Sequence, residues 1–100
     1  MINIYKRTVL VVDDEKLIRI TLSKILEVAG YNVICAENGE EAKRLIDSNH
    51  IDLVVTDIVM KGIDGIEVLN HVKKVSPDTV VIVMTAYASM ESTLEALRYS

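Results

Sequence analysis

Three apolar runs of this chain end in residues able to do chemistry. "TVLVVD" (Thr8 to Asp13) runs on into Asp14 and Glu15, "DLVVTD" (Asp52 to Asp57) closes on Asp57, and "TVVIVMT" (Thr79 to Thr85) closes on Thr85 with Ala86 behind it. One acid after a strand needs no function, since it can face water or cap the next helix, and Asp14 suits the second role. Two such ends brought together are another matter. Carboxylates held close raise one another's pKa and destabilise the fold, so a persistent cluster implies a cation among them. All-oxygen donors suit a hard divalent ion, and Mg²⁺ is held by one or two carboxylates together with waters and a phosphate oxygen. A carboxylate can also attack phosphorus to form a covalent acyl phosphate. A hydroxyl at Thr85 could then bond a phosphoryl oxygen, with the small Ala86 leaving room for it.

The elements that must position these residues follow from periodicity. The first apolar run has the pattern of a strand buried on both faces. A helix follows with Ile18, Leu22, Ile25 and Ala29 at inward spacing, ended by Gly30 as its C′ residue. "NVICA" (Asn32 to Ala36) is a second strand. Asn38, with Glu41 three residues on, caps a helix whose inner face is Ala42, Leu45 and Ile46. "DLVVTD" is the third strand, and Asp64 with Glu67 opens a helix carrying Ile66, Leu69 and Val72 that Pro77 stops. The fourth strand is Thr79 to Thr85. Ser89 caps a last helix with Met90, Leu94 and Leu97, and Met84 joins Met90 and Leu94 in core packing.

This β-α order with short connections predicts an α/β fold, an open parallel sheet with helices on both faces. In such sheets chemistry sits beyond the carboxyl ends of the strands, where strand order reverses. If the first and third strands are neighbours, ~4.8 Å apart, Asp13, Asp14 and Asp57 converge on one crevice.

Composition narrows the function. One hundred residues make one domain, with no linker or repeat to divide it. There is no Trp or Phe, so Val, Ile and Leu must build the core. The net charge of −4 and the lack of a basic cluster argue against direct nucleic-acid contact. The single cysteine, Cys35, cannot form an internal disulfide and points to a reducing compartment, as a small core residue of the second strand. No apolar run reaches the ~20 residues of a membrane span. The expected setting is the cytoplasm.

"VLVVDDE", "DLVVTDIVMKGIDGIEVL" and "VIVMTAYAS", in this order and spacing, resemble the receiver domain of two-component response regulators from about Thr8 onward. The resemblance implies a flavodoxin-like sheet in the order 2-1-3-4-5. It implies Asp57 as phosphoacceptor, Asp14 as a direct Mg²⁺ ligand, Asp13 as a ligand mainly through water, Val59 as a backbone-carbonyl ligand and Thr85 as the switch hydroxyl. The implied partners are a sensor histidine kinase as phosphoryl donor and an output domain, linked or separate. Such a domain is no enzyme toward other substrates; its reactions are its own phosphorylation and dephosphorylation.

The family's fifth strand, which carries a lysine that pairs with the phosphoryl group, lies outside these residues. The expectation is therefore an incomplete domain of order 2-1-3-4, impaired phosphorylation, and homo-oligomers through the edge of the fourth strand (Val80 to Met84). Lys61, after Asp57, has nothing to mark it as a substitute. A module that no longer takes phosphate and acts by docking is the alternative, and the retained acids argue against it. A haloacid-dehalogenase-type phosphatase would want a second acid two residues after Asp57, where Val59 stands. Of the remaining polar residues, Asp52 reads as structural, Glu15 as favouring the helix N-terminus beside the metal, Gly62 and Gly65 as turn glycines, and His50 and His71 as exposed residues with no acidic or Cys partner at metal-ligand spacing. The face of the last helix with Glu91, Glu95, Arg98 and Tyr99 reads as a partner surface or a solvated face.

Overall fold

The structure, a computed structural model, describes residues 6–58 and 65–84. Four parallel strands, β1 (Thr8–Val12), β2 (Asn32–Ala36), β3 (Leu53–Asp57) and β4 (Val80–Met84), form a sheet in the order β2-β1-β3-β4. Three helices connect them: α1 (Lys16–Val28), α2 (Gly39–Ser48) and α3 (Gly65–Val75). The expected adjacency of the first and third strands is present, with Val12 opposite Thr56. Met90, Leu94 and Leu97, with the helix expected after Ser89, lie outside the described residues, as do Gly62 and Asp64.

The sheet separates two cores. On one face Leu10, Val12 and Val54 pack with Ala42 and Ile46 of α2 and Val68 and Val72 of α3. On the other, Val9, Val11 and Val55 meet Leu22 and Leu26 of α1. Val9 to Val12 are wholly buried, which is why β1 reads as a continuous apolar run.

Helix boundaries follow local chemistry. Asn38 Oδ1 accepts the Glu41 N–H at 2.8 Å to open α2. Gly30, at φ +100°, closes α1; its N–H donates to the Glu27 carbonyl and that of Tyr31 to Leu26, a paired C-terminal cap.

The phase of α1 departs from the sequence expectation. Its inward residues are Arg19, Leu22, Ser23 and Leu26, while Ile18, Ile25 and Ala29 are exposed. Leu22 faces inward as expected, and two polar contacts lie on the same face: Arg19 reaches the Asp13 carbonyl at 2.7 Å, and Ser23 Oγ lies 3.1 Å from Cys35 Sγ. Cys35 is accordingly half-buried under α1.

Candidate functional site

The pairing of β1 with β3 sets the site. Each strand delivers an acid at its carboxyl end, Asp13 one residue past Val12 and Asp57 one past Thr56. One carboxylate oxygen from each of Asp13, Asp14 and Asp57 lies within 4.8 Å of the others, the one such cluster of three potential ligands among the described residues. Asp13 is buried at 5% exposure, Asp57 is half-buried and Asp14 is exposed. The cluster thus runs from the sheet end out to solvent.

Asp13 is fixed on every side. Its N–H donates to the Ala36 carbonyl at 3.1 Å, its carbonyl accepts from Arg19 Nη1 at 2.7 Å, and its Oδ1 accepts the Glu15 N–H at 2.9 Å. The Asp13 carboxylate thus holds the amide of Glu15, the N-cap residue of α1, a helix that opens without a side-chain capping bond. Burial pushes the Asp13 carboxyl above its ordinary value, and the charges of Asp57, Asp14 and Glu15 push the same way, against the lowering effect of the Glu15 N–H.

The end of β3 is held from below and above. Thr56, fully buried, donates its hydroxyl to the Asp57 carbonyl at 3.0 Å. The Ile58 N–H donates to the Met84 carbonyl at 3.2 Å, and the Gly65 N–H to the Ile58 carbonyl at 3.0 Å. A Cβ built on Gly65 would strike the Asp57 carbonyl oxygen and stand 2.8 Å from Ile58 Cα. Gly65 does not have the positive φ of a turn glycine; it is required by this close approach of α3 to the strand end.

The donor set fits Mg²⁺. Octahedral coordination at about 2.1 Å puts neighbouring oxygens about 3 Å apart and opposite ones about 4.2 Å, and small carboxylate rotations reach that from the spacing observed. All donors are hard oxygens, and the outer one, Asp14, is open to the solvent from which the ion and its waters come.

Thr85, Ala86, Val59 and Lys61 lie outside the described residues. Asp52 is at the opposite end of β3 from Asp57, where its Oδ2 accepts the Thr8 N–H at 2.8 Å. His50 is exposed as expected and lies 3.1 Å from Asp52 Oδ1, whereas His71 is largely covered and lies 2.7 Å from Asp47 Oδ1 across α2 and α3; each pairs with one acid and neither joins a cluster of three potential ligands among the described residues. These pairings need tertiary packing or a tight turn that ligand spacing does not reveal. Arg19 escaped the sequence reading altogether; its spacing with Leu22, Ser23 and Leu26 on one helical face was the available signal.

The response regulator receiver domain matches residues 9–100 of this sequence. The chain belongs to that family. Sporulation initiation phosphotransferase F of Bacillus subtilis is 36% identical over 88 residues, which cover 88% of this chain and 71% of that protein. Regulatory protein AtoC of Escherichia coli is 42% identical over 90 residues, 90% of this chain but 20% of AtoC. A cyclic di-GMP phosphodiesterase of Thermotoga maritima is 43% identical over 84% of this chain and 22% of its own length. The receiver chain thus spans about a fifth of these two longer relatives. Among solved structures, response regulator TrrA of Thermotoga maritima, in complex with Mg²⁺ and BeF, superposes with a TM-score of 0.84 at 43% identity, over 91% of this chain and 79% of TrrA. Chemotaxis protein CheY4 of Vibrio cholerae gives 0.89 at 30% identity, over 96% and 82%.

Proposed function

We propose that this receiver domain is a phosphoacceptor switch in which Asp57 takes a phosphoryl group and Asp14, Asp13, Asp57 and the Val59 carbonyl hold Mg²⁺. The convergence of three carboxylate oxygens within 4.8 Å carries the reading. Burial and the neighbouring charges both disfavour the ionised form of Asp13, a cost that a cation among the three would offset. The complex of the related TrrA with Mg²⁺ and BeF supports the choice of ion.

In the step itself, a carboxylate oxygen of Asp57 attacks phosphorus in line. The new O–P bond forms as the P–N bond of a donor phosphohistidine breaks, and the bonding electron pair stays on the imidazole nitrogen. Bound Mg²⁺ supplies neutralisation of the phosphoryl oxygens. Asp57 stays aimed because its strand is paired on both sides and its carbonyl is held by Thr56. Asp13, tied at its N–H, carbonyl and Oδ1, presents its remaining oxygen without a conformational search. Thr85 is assigned the hydroxyl that reads the phosphoryl group. The donor is a sensor histidine kinase in the cytoplasm, and an output domain receives the signal, in keeping with the greater length of AtoC.

Acetyl phosphate with MgCl₂, followed by intact mass, tests the assignment. One added phosphoryl group, lost in Asp57→Asn and with EDTA, is the expected result; labelling that survives Asp57→Asn sinks it.

One observation favours a docking role beside the switch. Among the described residues β4 pairs on one side only, with β3, and its Val80 and Ile82 are 59% and 48% exposed; an open strand edge invites pairing with a second chain. Light scattering at micromolar concentration checks it, and a monomer refutes it.

A further inference from the structure

We infer that Arg19 is a positioning residue for the acidic cluster, holding the Asp13 main chain so that the carboxylate stays aimed at the bound cation. The inference rests on the Mg²⁺ reading above. Arg19 sits one turn into α1, and helical side chains lean toward the helix N-terminus. Its stem therefore runs back over the start of the helix toward the end of β1. Nη1 donates to the Asp13 carbonyl at 2.7 Å, a charge-assisted bond, and Nη2 lies 3.9 Å from Glu37 in the loop after β2. The Arg19 side chain is 17% exposed while Glu37 is open to water, so the Asp13 bond is the stronger of the two.

The placement matters because of how Asp13 is otherwise anchored. Its amide is tied to Ala36 and its Oδ1 to Glu15. With the carbonyl also held, the peptide plane after Asp13 cannot rotate, and the second carboxylate oxygen keeps its direction. Without Arg19 the Asp13 carbonyl loses its anchor, and only the bonds to Ala36 and Glu15 restrain the turn that aims the carboxylate. Groups that orient metal ligands in this way are as much part of a site as the ligands themselves.

Charge and position make opposite predictions here, which isolates the role. A guanidinium near a cation site repels the cation, so an Arg19 acting by charge alone would weaken Mg²⁺ binding, and its removal would tighten it. A positioning Arg19 gives the reverse. Amide chemical-shift titration with MgCl₂ reads the affinity in the full chain, without any phosphorylation assay. Arg19→Met, which keeps the apolar stem, is expected to weaken Mg²⁺ binding about tenfold, the low end for outer-shell partners. Arg19→Lys restores one donor and is expected to weaken it only about two- to threefold. Unchanged or tighter binding in Arg19→Met overturns the inference, even if its melting temperature falls. Should that variant not give a folded spectrum, Arg19→Lys decides on the same criterion. A wild-type chain showing no saturable shift with Mg²⁺ removes the metal reading and this inference with it; saturation in the wild type with no change in the variants removes this inference alone.

Discussion

Gly65, the first residue of α3, lies against the carbonyl of Asp57, the last residue of β3, with no room between them for a side chain. A Cβ there would stand 2.8 Å from Ile58 Cα and 2.9 Å from the Asp57 carbonyl carbon. These are main-chain atoms and cannot swing aside. The glycine therefore couples the start of α3 to the strand end that carries a site carboxylate.

Gly65→Ala forces that contact apart. The gain expected when alanine replaces a helical glycine, about 1 kcal/mol, is outweighed by overpacking, which costs about 1–3 kcal/mol. A lower urea midpoint with an unchanged m-value is the expected outcome. The displacement also moves Asp57, so Mg²⁺ affinity should fall in the same variant; a stabilised Gly65→Ala chain would mean the gap is wider than described.

Asp13→Asn should stabilise the metal-free protein at neutral pH. The fold raises the Asp13 pKa, chiefly by burial and further by Asp57, Asp14 and Glu15, so it disfavours the ionised form. Asparagine removes that charge and keeps an oxygen for the Glu15 N–H. Thermal melts with and without MgCl₂ check both halves: the variant should melt higher without metal and respond less to it. A lower metal-free melting temperature would show that Asp13 is not strained by its neighbours.

The topology and the acid cluster are legible because a buried parallel strand announces itself as an unbroken apolar run, and the runs of β1 and β3 each lead to an acid. Asp13, Asp14 and Asp57 needed only the β1–β3 adjacency to meet. Arg19 was hidden for a physical reason: an arginine beside isoleucines in a helix looks solvated, and its partner is a main-chain carbonyl with no sequence identity. The same blindness shifted the α1 phase, since Ile18 and Ile25 outweigh Arg19 and Ser23 on hydrophobicity. The Asp47–His71 pair spans 24 residues and exists only because α2 and α3 pack side by side. Gly65 reads in the sequence as a turn glycine, whereas the close approach of α3 to the strand end is what requires it. Thr85 and Val59 keep only the roles their sequence context implies.

Asp52 gives the acid limb of stability a definite sign. Its pKa is lowered from 3.8, first by the Thr8 N–H and then by His50, with Arg7 aiding. A depressed folded-state pKa means stability present above 3.8 and lost as pH falls below that toward the folded value. Asp52→Asn keeps an oxygen for the Thr8 N–H but cannot titrate. Urea midpoints between neutral pH and about pH 3, spanning ordinary carboxylate values, should therefore fall less steeply in the variant than in the wild type. Parallel curves would show that Asp52 contributes nothing to acid unfolding.

Thr79 anchors the approach to β4 from a buried position. Its hydroxyl donates to the Ile51 carbonyl at 2.7 Å and so can only accept from Ser76 Oγ, also at 2.7 Å. Valine has the same shape but leaves the Ile51 carbonyl without its donor and the Ser76 hydroxyl without its acceptor. An unsatisfied buried polar group costs about 1–3 kcal/mol, more than the better strand propensity of valine returns, because Thr79 precedes the strand. Thr79→Val should lower the urea midpoint by that margin and speed amide exchange at Val80, whose N–H bonds the Asp52 carbonyl at 3.1 Å. Because this edge lies at the opposite end of the sheet from Asp57, Mg²⁺ affinity should be unchanged. A variant that lost Mg²⁺ affinity along with stability would mean the two ends of the sheet are coupled rather than independent.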